Sequence, residues 1–235
     1  MPPILQPTAQ TSREAAALLS GHLTPAPLVR ADGLGALLGV ETHVQCEFHN
    51  PVRSFKIRGA LTLVDHLVGG GKTRCVLTAS TGNHGAAMAY ACDKLGLPLT
   101  VGVPEGCDKS KVALIRRFGA QLQYLGSDLD ATKESMLTER LPAGTVFVED
   151  GSNPQIVAGT STIGAEIARA LPEVATVVVP VGNGALIGGL GTALKRHNPA
   201  VRLVGVQSAA APCMALSFAA GAPVDTEACA TFASG

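Results

Sequence analysis

The sequence predicts an α/β protein in which helices alternate with parallel strands. Three observations support this fold class. From Cys75 onward, β-rich runs alternate with apolar-periodic runs long enough for helices, which is the pattern of right-handed βαβ units. Hydrophobic residues make up 46% of the 235 residues and charged residues only 15%, so most strands and helices should be buried. Two glycine-bearing turns each follow a β-rich run and precede a helix.

The first 71 residues contain short elements and one longer helix. The short elements are a helix over 13–20 with Ser12 as N-cap, a brief helix over 34–38 and a strand over 43–48. The longer helix starts at Lys56 and runs to about Val68, because its apolar residues recur on one face. Three consecutive glycines, 69–71, form the first clear break.

The rest of the chain divides into two series of elements. The middle series has strands over 75–79, 99–103, 122–125 and 145–149 and helices over 82–95, 109–118 and 129–141. The later series has helices over 156–171, 186–197 and 213–220 and strands over 176–181 and 203–206. We expect the later strands to share a sheet with the N-terminal strands. Residues 1–71 and 150–235 would then form one large domain, with 72–149 inserted as a small α/β domain.

The composition argues against several classes of partner. Eighteen basic and eighteen acidic residues leave no net charge to attract nucleic acid or an anionic membrane. The six cysteines form no CxxC pair, so neither a metal site nor a disulfide framework is expected. The first ten residues lack the basic and apolar regions of a signal peptide, and we expect a cytoplasmic protein.

One segment has the length of a membrane span. Residues 174–194 carry no charge over 21 residues. Pro180, Asn183 and five glycines interrupt this segment, which favours a buried parallel strand, a glycine turn and a packed helix. We therefore expect no membrane insertion.

Lys56 is the first candidate for chemistry. It lies at a predicted helix N-terminus, where the helix dipole disfavours a cation, and burial would also favour the neutral, nucleophilic amine. Taken alone, the position favours a solvated lysine on the first turn, because most lysines are surface charges. The choice depends on what else the chain supplies.

The two glycine-bearing turns are candidate anion sites. The first, 78–85, places hydroxyls, amides and Asn83 at a helix N-terminus, which suits a carboxylate, although a simple helix cap explains it too. The second, 182–189, suits a phosphate or tight packing. It lacks the lysine of a P-loop, and its glycine spacing departs from that of a dinucleotide site.

Two further polar positions have simpler interpretations. His84 is interpreted as a structural or loop-supporting histidine rather than a metal ligand, because no second ligand lies nearby in the sequence. Glu166 and Arg169 are three residues apart on a predicted helix and are expected to form a surface pair.

An activated lysine, a carboxylate-binding turn and a phosphate-binding turn are together what a pyridoxal-phosphate enzyme needs. The sequence resembles the fold-type II (tryptophan synthase β-like) pyridoxal-phosphate enzymes, specifically the threonine/serine dehydratase and serine racemase group. The motifs that carry this resemblance are Ser54-Phe55-Lys56-Ile57-Arg58-Gly59-Ala60, Ser80-Thr81-Gly82-Asn83-His84-Gly85, Asn153-Pro154 with Ala158-Gly159-Thr160, and Val179-Pro180-Val181-Gly182-Asn183-Gly184. The resemblance implies two three-layer domains, each built on a parallel sheet.

The resemblance also implies roles for individual residues. Lys56 would hold pyridoxal 5'-phosphate covalently through its amine and then act as the base at the substrate Cα. Phe55 would pack on the cofactor ring, and Asn83 would hydrogen-bond a ring oxygen. The remaining roles are phosphate binding by Gly182, Asn183, Gly184, Ala185 and Leu186, and binding of the substrate carboxylate by Ser80, Thr81, Gly82 and Asn83.

The chain departs from the family pattern near these residues. Arg53 stands where the family usually has glycine, and it is expected to crowd or recharge the approach to Lys56. Asn183 and Ala185 replace glycines of the phosphate turn, although enough amides remain. Thr81 replaces the serine that acts as acid/base in the racemases; it keeps a hydroxyl and is a catalytic candidate, but its branched side chain disfavours racemisation.

Two further departures concern the later part of the chain. Gln207 and Cys213 stand where metal-dependent racemases have acidic ligands, so no divalent cation is expected. Ser234-Gly235 corresponds to an Asp-Gly of the relatives, which continue for roughly another third of a chain in the family pattern and add a contact to the pyridine nitrogen. We therefore expect a large domain that is incomplete at its C-terminal side, in either a fragment or a truncated paralogue.

The expected activity is a dehydratase (ammonia-lyase) reaction that converts threonine, serine or a related β-hydroxy amino acid to a 2-oxo acid and ammonia. Two alternatives stay open: a β/γ-replacement (threonine-synthase-like) or racemase reaction, and a truncated non-catalytic relative. The expected partner is a small amino-acid substrate, and a complete protein would be a homo-oligomer. The sequence leaves the substrate side chain and the oligomeric state undetermined.

Overall fold

The computed structural model describes residues 6–110, 112–138, 141–151, 153–226 and 231. The helices in these ranges are α1 Ala9–Ser20, α2 Asp32–Leu38, α3 Lys56–Gly69, α4 Asn83–Leu95, α5 Ala113–Arg117, α6 Leu129–Thr138, α7 Pro154–Ala170, α8 Ala185–His197 and α9 Cys213–Ala220. The strands are β1 Leu28–Arg30, β2 His43–Gln45, β3 Cys75–Ala79, β4 Leu99–Val103, β5 Gln121–Tyr124, β6 Thr145–Phe147, β7 Thr176–Pro180 and β8 Arg202–Val206.

The middle of the chain forms a parallel four-stranded sheet with the order β5-β4-β3-β6. Val76 pairs with Leu99 on one side of β3, and Val76 pairs with Val146 on the other. Helices connect these parallel strands, because a strand that returns in the same direction needs a crossover. The predicted α/β class with parallel strands is therefore confirmed.

The remaining strands are arranged differently from the prediction. β7 and β8 form a parallel pair, and β1 and β2 form an antiparallel pair. Within the described residues, no ladder joins these two pairs, so the expected sheet shared by the N-terminal and later strands is not found there. The division into a large domain and the inserted domain 72–149 stays a prediction.

Several element ends differ from those predicted. Helix α1 begins at Ala9 and is capped by Thr8, whose side chain accepts a hydrogen bond from the Thr11 amide. Ser12, the predicted cap, is instead buried and accepts a hydrogen bond from the Ser161 hydroxyl at 2.8 Å. The helix predicted over 109–118 begins only at Ala113. Residues 111, 139 and 140, which belong to predicted helices, lie outside the described residues.

The uncharged segment 174–194 folds as expected from its interruptions, with strand β7, a turn and helix α8. Of the helices in the described ranges, none has the length and apolar character needed to cross a membrane.

Helix α7 is the element on which the other site-bearing helices pack. It contacts α3 through Gly159, where an added Cβ would lie 2.5 Å from the Arg58 carbonyl oxygen. It contacts α8 through Gly189, where an added Cβ would lie 2.6 Å from the Val157 carbonyl oxygen. Glycine is required at both positions because the backbones approach too closely for a side chain. The helix that begins with Lys56 and the helix that follows the second turn are thus held against one support.

Candidate active site

Lys56 is the first residue of α3 and follows a tightly hydrogen-bonded loop. The Asn50 side chain accepts hydrogen bonds from the amides of Val52 and Ser54 at 3.1 and 3.3 Å, and it donates to the Ser54 carbonyl at 3.0 Å. The Ser54 hydroxyl accepts from the Lys56 amide at 3.3 Å. The Asn50 bonds hold the loop that precedes α3, and the Ser54 hydroxyl gives the Lys56 amide a partner that the start of a helix otherwise lacks.

Arg53, in the same loop, has a φ of 55°. This is the left-handed region, which costs a residue with a Cβ about 1–2 kcal/mol and which glycine enters freely. The family's glycine at this position therefore has a conformational reason. Arg53 is exposed and lies outside the cleft described next, so its predicted effect on the approach to Lys56 stays a prediction.

The Lys56 side chain opens into a narrow cleft between helices. The residues that line the cleft are Phe55, Lys56, Ala60, His84, Asp150, Ile156, Thr160, Asn183 and Ala185. The cleft brings together residues from the starts of α3, α4 and α8. Its cavity volume is about 10 Å³. This is roughly the space of one water molecule, so the cleft is nearly closed.

Asp150 is the main polar partner of Lys56, and the sequence reasoning missed it. Its Oδ2 lies 2.5 Å from Lys56 Nζ, and its Oδ1 lies 3.3 Å from His84 Nδ1. Burial raises the pKa of Asp150, but the hydrogen bond and charge of His84 and the charge of Lys56 outweigh this, so the net pKa is far below its usual range. Asp150 follows β6 at the carboxyl edge of the parallel sheet, a position typical of ligand-binding residues.

This ion pair gives Lys56 surroundings that no local sequence pattern predicts. The Asp150 carboxylate lies 2.5 Å from Nζ, whereas the sequence shows only the helix dipole and burial as effects on the amine. The partner comes from a residue 94 positions away.

His84 is buried and bridges Asp150 to the sheet. The Thr78 hydroxyl donates to the Val148 carbonyl at 2.7 Å, so it accepts from His84 Nε2, which lies 3.1 Å away. Both imidazole nitrogens of His84 therefore face acceptor oxygens, Thr78 Oγ1 on one side and Asp150 Oδ1 on the other. The loop-supporting interpretation agrees with this geometry, and His84 also borders the cleft.

The first turn is organised by Ser80. Its hydroxyl oxygen accepts hydrogen bonds from the Gly82 and Gly85 amides at 3.2 and 3.0 Å, which caps the start of α4. The helix-cap interpretation therefore applies to Ser80. Asn83 is exposed, and the four residues predicted to bind a carboxylate, Ser80, Thr81, Gly82 and Asn83, are not among those that line the cleft. Their predicted roles are neither supported nor excluded by this geometry.

The second turn joins β7 to α8 and reaches the cleft. Gly184 has a φ of 88°, and the Asn183 side-chain oxygen accepts from the Ala185 amide at 3.1 Å. Asn183 and Ala185 line the cleft, whereas Gly182, Gly184 and Leu186 do not. The tight-packing interpretation applies to Gly189, which packs on α7, whereas Gly182 has open space around it. Phosphate binding by this turn stays a prediction.

Arg58 forms a buried ionic network beneath the cleft. It donates to both oxygens of Glu47 at 2.9 Å and to both oxygens of Glu166 at 2.7 and 2.8 Å. Burial lowers the pKa of Arg58, but the bonds to Glu166 and Glu47 outweigh it and the net pKa is raised. The predicted surface pair of Glu166 with Arg169 is therefore wrong. Arg58 instead ties the first turn of α3 to α7.

The other predicted positions have structural contacts of their own. Phe55, which lines the cleft, and Leu186, which does not, pack against the core cluster that includes Ile163 and Leu190. Gln207 accepts from the Ala215 amide at 3.0 Å, and within the described ranges no cluster of three potential metal ligands is present. Ser234 and Gly235, which correspond to the Asp-Gly of relatives, lie outside the described residues.

The donor set of the cleft fits pyridoxal phosphate. A lysine amine, 16% exposed in its side chain, faces the same space as the N-terminus of a 13-residue helix, which attracts anions. The space beside the amine is narrow in this conformation, with a cavity of about 10 Å³. The chemistry of the residues therefore fits the cofactor, and side-chain movement is required to admit it.

Comparisons with known proteins agree with this chemistry. A family model described as "Pyridoxal-phosphate dependent enzyme" matches residues 19–235. The L-threonine ammonia-lyase of Thermotoga maritima is 36% identical over 228 residues, which is 97% of this chain and 57% of that protein. The L-threonine ammonia-lyase of Geobacter sulfurreducens is 35% identical over 208 residues, which is 88% of this chain and 52% of that protein.

Solved structures show the same architecture. The structure of maize serine racemase superposes with a TM-score of 0.88 at 26% identity, covering 96% of this chain and 68% of that one. This likeness confirms the predicted fold class. The chain spans between half and three fifths of the length of the two ammonia-lyases.

Proposed function

Because the chain belongs to the family of pyridoxal-phosphate-dependent enzymes, we propose that it carries the cofactor site of an ammonia-lyase. The substrate would be threonine, serine or a related β-hydroxy amino acid. The observation that carries this proposal is the shared cleft: the Lys56 amine and the N-terminus of α8 face the same space. An amine for covalent attachment and a helix N-terminus for a phosphate are the two contacts that this cofactor needs.

The cofactor would be held by residues on both sides of the cleft. Lys56 would bind it covalently, and Phe55 would pack on its ring. Asn83 would hydrogen-bond a ring oxygen, which requires α4 to approach from its present position at the rim. The phosphate would be bound by the second turn, through Gly182, Asn183, Gly184, Ala185 and Leu186.

The protein residues would divide the reaction between them. When bound, the cofactor serves as an electron sink for the charge that develops at the substrate Cα. The turn of Ser80, Thr81, Gly82 and Asn83 would hold the substrate carboxylate. The Lys56 amine would remove the α-proton, and the β-hydroxyl group leaves as water. Hydrolysis then gives the 2-oxo acid and ammonia, with one water released and one consumed.

The small domain is proposed to close over the substrate. The turn of residues 80–83 starts α4 above the sheet of the predicted inserted domain, 72–149. Movement of this unit towards Lys56 would bring the turn to the cleft and exclude water from the reaction. The proposal accounts for carboxylate-binding residues that do not line the cleft.

Trapping of the cofactor tests the proposed site. The protein is loaded with pyridoxal phosphate, reduced with borohydride and digested, and the labelled peptide is mapped. We expect the label on Lys56 and its loss in Lys56→Ala, with wild-type melting behaviour of the unloaded variant as the control for folding. A label on another lysine, or none in folded protein, contradicts the proposal.

Two other functions are distinguished by their products. The likeness to maize serine racemase favours a racemase as the second candidate, in which Thr81 would act as the acid/base on the opposite face. Release of ammonia and a 2-oxo acid indicates the lyase, and inversion of the α-carbon without release indicates the racemase. A replacement reaction consumes a second substrate. If added cofactor changes neither absorbance nor melting temperature, the chain is a non-catalytic relative.

The cellular setting and assembly are proposed from the sequence. The five described cysteines, Cys46, Cys75, Cys92, Cys107 and Cys213, are free thiols, which supports a reducing cytoplasmic location. A homo-oligomer is proposed for the complete protein from the family resemblance. Sedimentation of the full-length protein measures that state directly.

A further inference from the structure

Asp150 occupies the part of the cleft where the cofactor must reach Lys56. Its Oδ2 lies 2.5 Å from the amine that would form the covalent bond. The remaining cavity of about 10 Å³ holds about one water molecule, far less than a pyridine ring. The carboxylate therefore occupies a contact with Nζ that must be given up before the amine can reach the aldehyde carbon of the cofactor.

The charge of Asp150 also opposes the cofactor. Burial raises the pKa of Asp150, but His84 and Lys56 lower it more, so the net pKa lies far below its usual range. The side chain is therefore anionic at neutral pH. The phosphate of the cofactor is an anion as well. Like charges in a half-buried cleft repel each other more strongly than in water.

The neighbouring backbone holds Asp150 in this position. Gly151 has a φ of 80° and packs so closely on Asn183 that an added Cβ would lie 2.7 Å from the Asn183 amide carbon. Asp150 Oδ1 is also anchored by His84 Nδ1. The carboxylate thus contacts the residues of α3 and α4 that line the cleft, and its neighbour touches the proposed phosphate turn.

We propose that Asp150 is an autoinhibitory side chain, whose ion pair with Lys56 closes the cofactor cleft and slows attachment of pyridoxal phosphate until the carboxylate withdraws. The proposal rests on the proposed function, since it requires Lys56 to be the attachment site. Oδ2 can release Nζ while Oδ1 keeps its contact with His84 Nδ1, because the two oxygens of the carboxylate contact different groups.

The attachment step explains why the ion pair matters. Nζ must leave the Asp150 carboxylate before it can reach the aldehyde carbon, and only an unprotonated amine attacks there. A C=N bond would then form between Nζ and the aldehyde carbon, and the aldehyde oxygen would leave as water with the two amine protons. The ion pair opposes the first of these events because it holds Nζ 2.5 Å from Asp150 Oδ2.

The rate of attachment tests the proposal. Purified protein without cofactor is mixed with excess pyridoxal phosphate, and attachment is followed by absorbance and by borohydride trapping at timed intervals. Asp150→Asn keeps the shape of the side chain and removes its charge. We expect attachment about tenfold faster than in the wild type, because a hydrogen bond between charged groups, which must break before Nζ can react, is worth about that factor. Asp150→Ala, which also frees space, should be at least as fast.

The adjacent carboxylate supplies the control. Glu149 forms an ion pair with Lys133 rather than with Lys56. Glu149→Gln removes the same charge one residue away and should attach the cofactor at the wild-type rate. Equal or slower attachment in both Asp150 variants overturns the proposal, as does equal acceleration in Glu149→Gln. If the trapped label lies on another lysine, the proposed function fails instead, and peptide mapping separates the two results.

Discussion

Lys56 and Arg58 are two cations in the first turn of α3 that differ in how completely they are paired. Arg58 is 5% exposed in its side chain and is bound by Glu47 and Glu166, each through both oxygens. Lys56 is 16% exposed, and the described residues supply a single carboxylate partner, Asp150, which it shares with His84. The two residues lie on the same helix, but Arg58 is fully paired and Lys56 has one shared partner.

The difference separates a structural ion pair from a reactive one. The Arg58 guanidinium donates to both oxygens of two carboxylates, so moving this side chain would leave Glu47 and Glu166 without this partner. Lys56 can exchange its one partner more readily than Arg58 can exchange its two, because Asp150 is 31% exposed and also contacts His84. A cation that must exchange partners during a reaction is expected to have the second kind of surroundings.

Removing each cation in turn gives the largest expected contrast. Arg58→Ala should lower the free energy of unfolding by about 3–5 kcal/mol, because Glu47 and Glu166 are left unpaired near the core. Lys56→Ala should lower it by about 1 kcal/mol or less, as for a partly exposed pair. Urea unfolding measures both values. Equal losses would contradict the division into a structural and a reactive cation.

Both cations lie on α3, which packs against α7. This helix contact can be disturbed without changing either side chain. Gly159→Ala places a Cβ 2.5 Å from the Arg58 carbonyl oxygen, and the backbone there cannot move aside cheaply. We expect a loss of about 1–3 kcal/mol in the free energy of unfolding and weaker cofactor binding.

A glycine in open space is the matched control for this substitution. Gly188 lies inside helix α8 with no atom within 4 Å of an added Cβ. Gly188→Ala should stabilise the protein by about 0.5–1 kcal/mol, because alanine loses less conformational freedom in a helix. The same loss in both variants would show that helix contact is not the cause.

The pH dependence of stability tests the ion pair of Lys56 with Asp150. The folded-state pKa of Asp150 lies below the ordinary value of 3.8, so its contribution to stability is present above that pH and is lost as the pH falls through the lower folded value. The difference in unfolding free energy between wild type and Asp150→Asn, about 1 kcal/mol, should be constant from neutral pH to about pH 5 and shrink below pH 4. In a Lys56→Ala background, the difference should be smaller throughout. A difference that grows on acidification contradicts this assignment.

The parts of the site that could be predicted from the sequence are those encoded by neighbouring residues. Lys56 and the second turn were identified because helix periodicity and glycine spacing are local patterns. Of the residues predicted around the cofactor, Phe55, Lys56, Asn183 and Ala185 meet in the cleft. The parallel sheet was predictable for the same reason, since each βαβ unit is a contiguous stretch of chain.

The missed parts depend on contacts between distant residues. Asp150 reaches Lys56 across 94 positions, and Glu166 reaches Arg58 across 108. A lone aspartate after a short strand and a glutamate one turn from an arginine carry no local pattern that names these partners. The Ala158-Gly159-Thr160 motif was visible in the sequence, but its packing role became clear only when α3 and α8 were found on either side of α7.

The smallest expected effect lies in the loop before Lys56, where Arg53 adopts a φ of 55°. Arg53→Gly removes the cost of placing a Cβ in the left-handed region but adds flexibility to the unfolded chain, so the net gain should be about 0.5 kcal/mol. Arg53→Ala is the control, because it removes the charge and keeps the Cβ, and it should give no such gain. Thermal unfolding of the three proteins distinguishes the two effects. If Arg53→Ala stabilises as much as Arg53→Gly, the charge of Arg53 rather than its backbone conformation is the source of the strain beside Lys56.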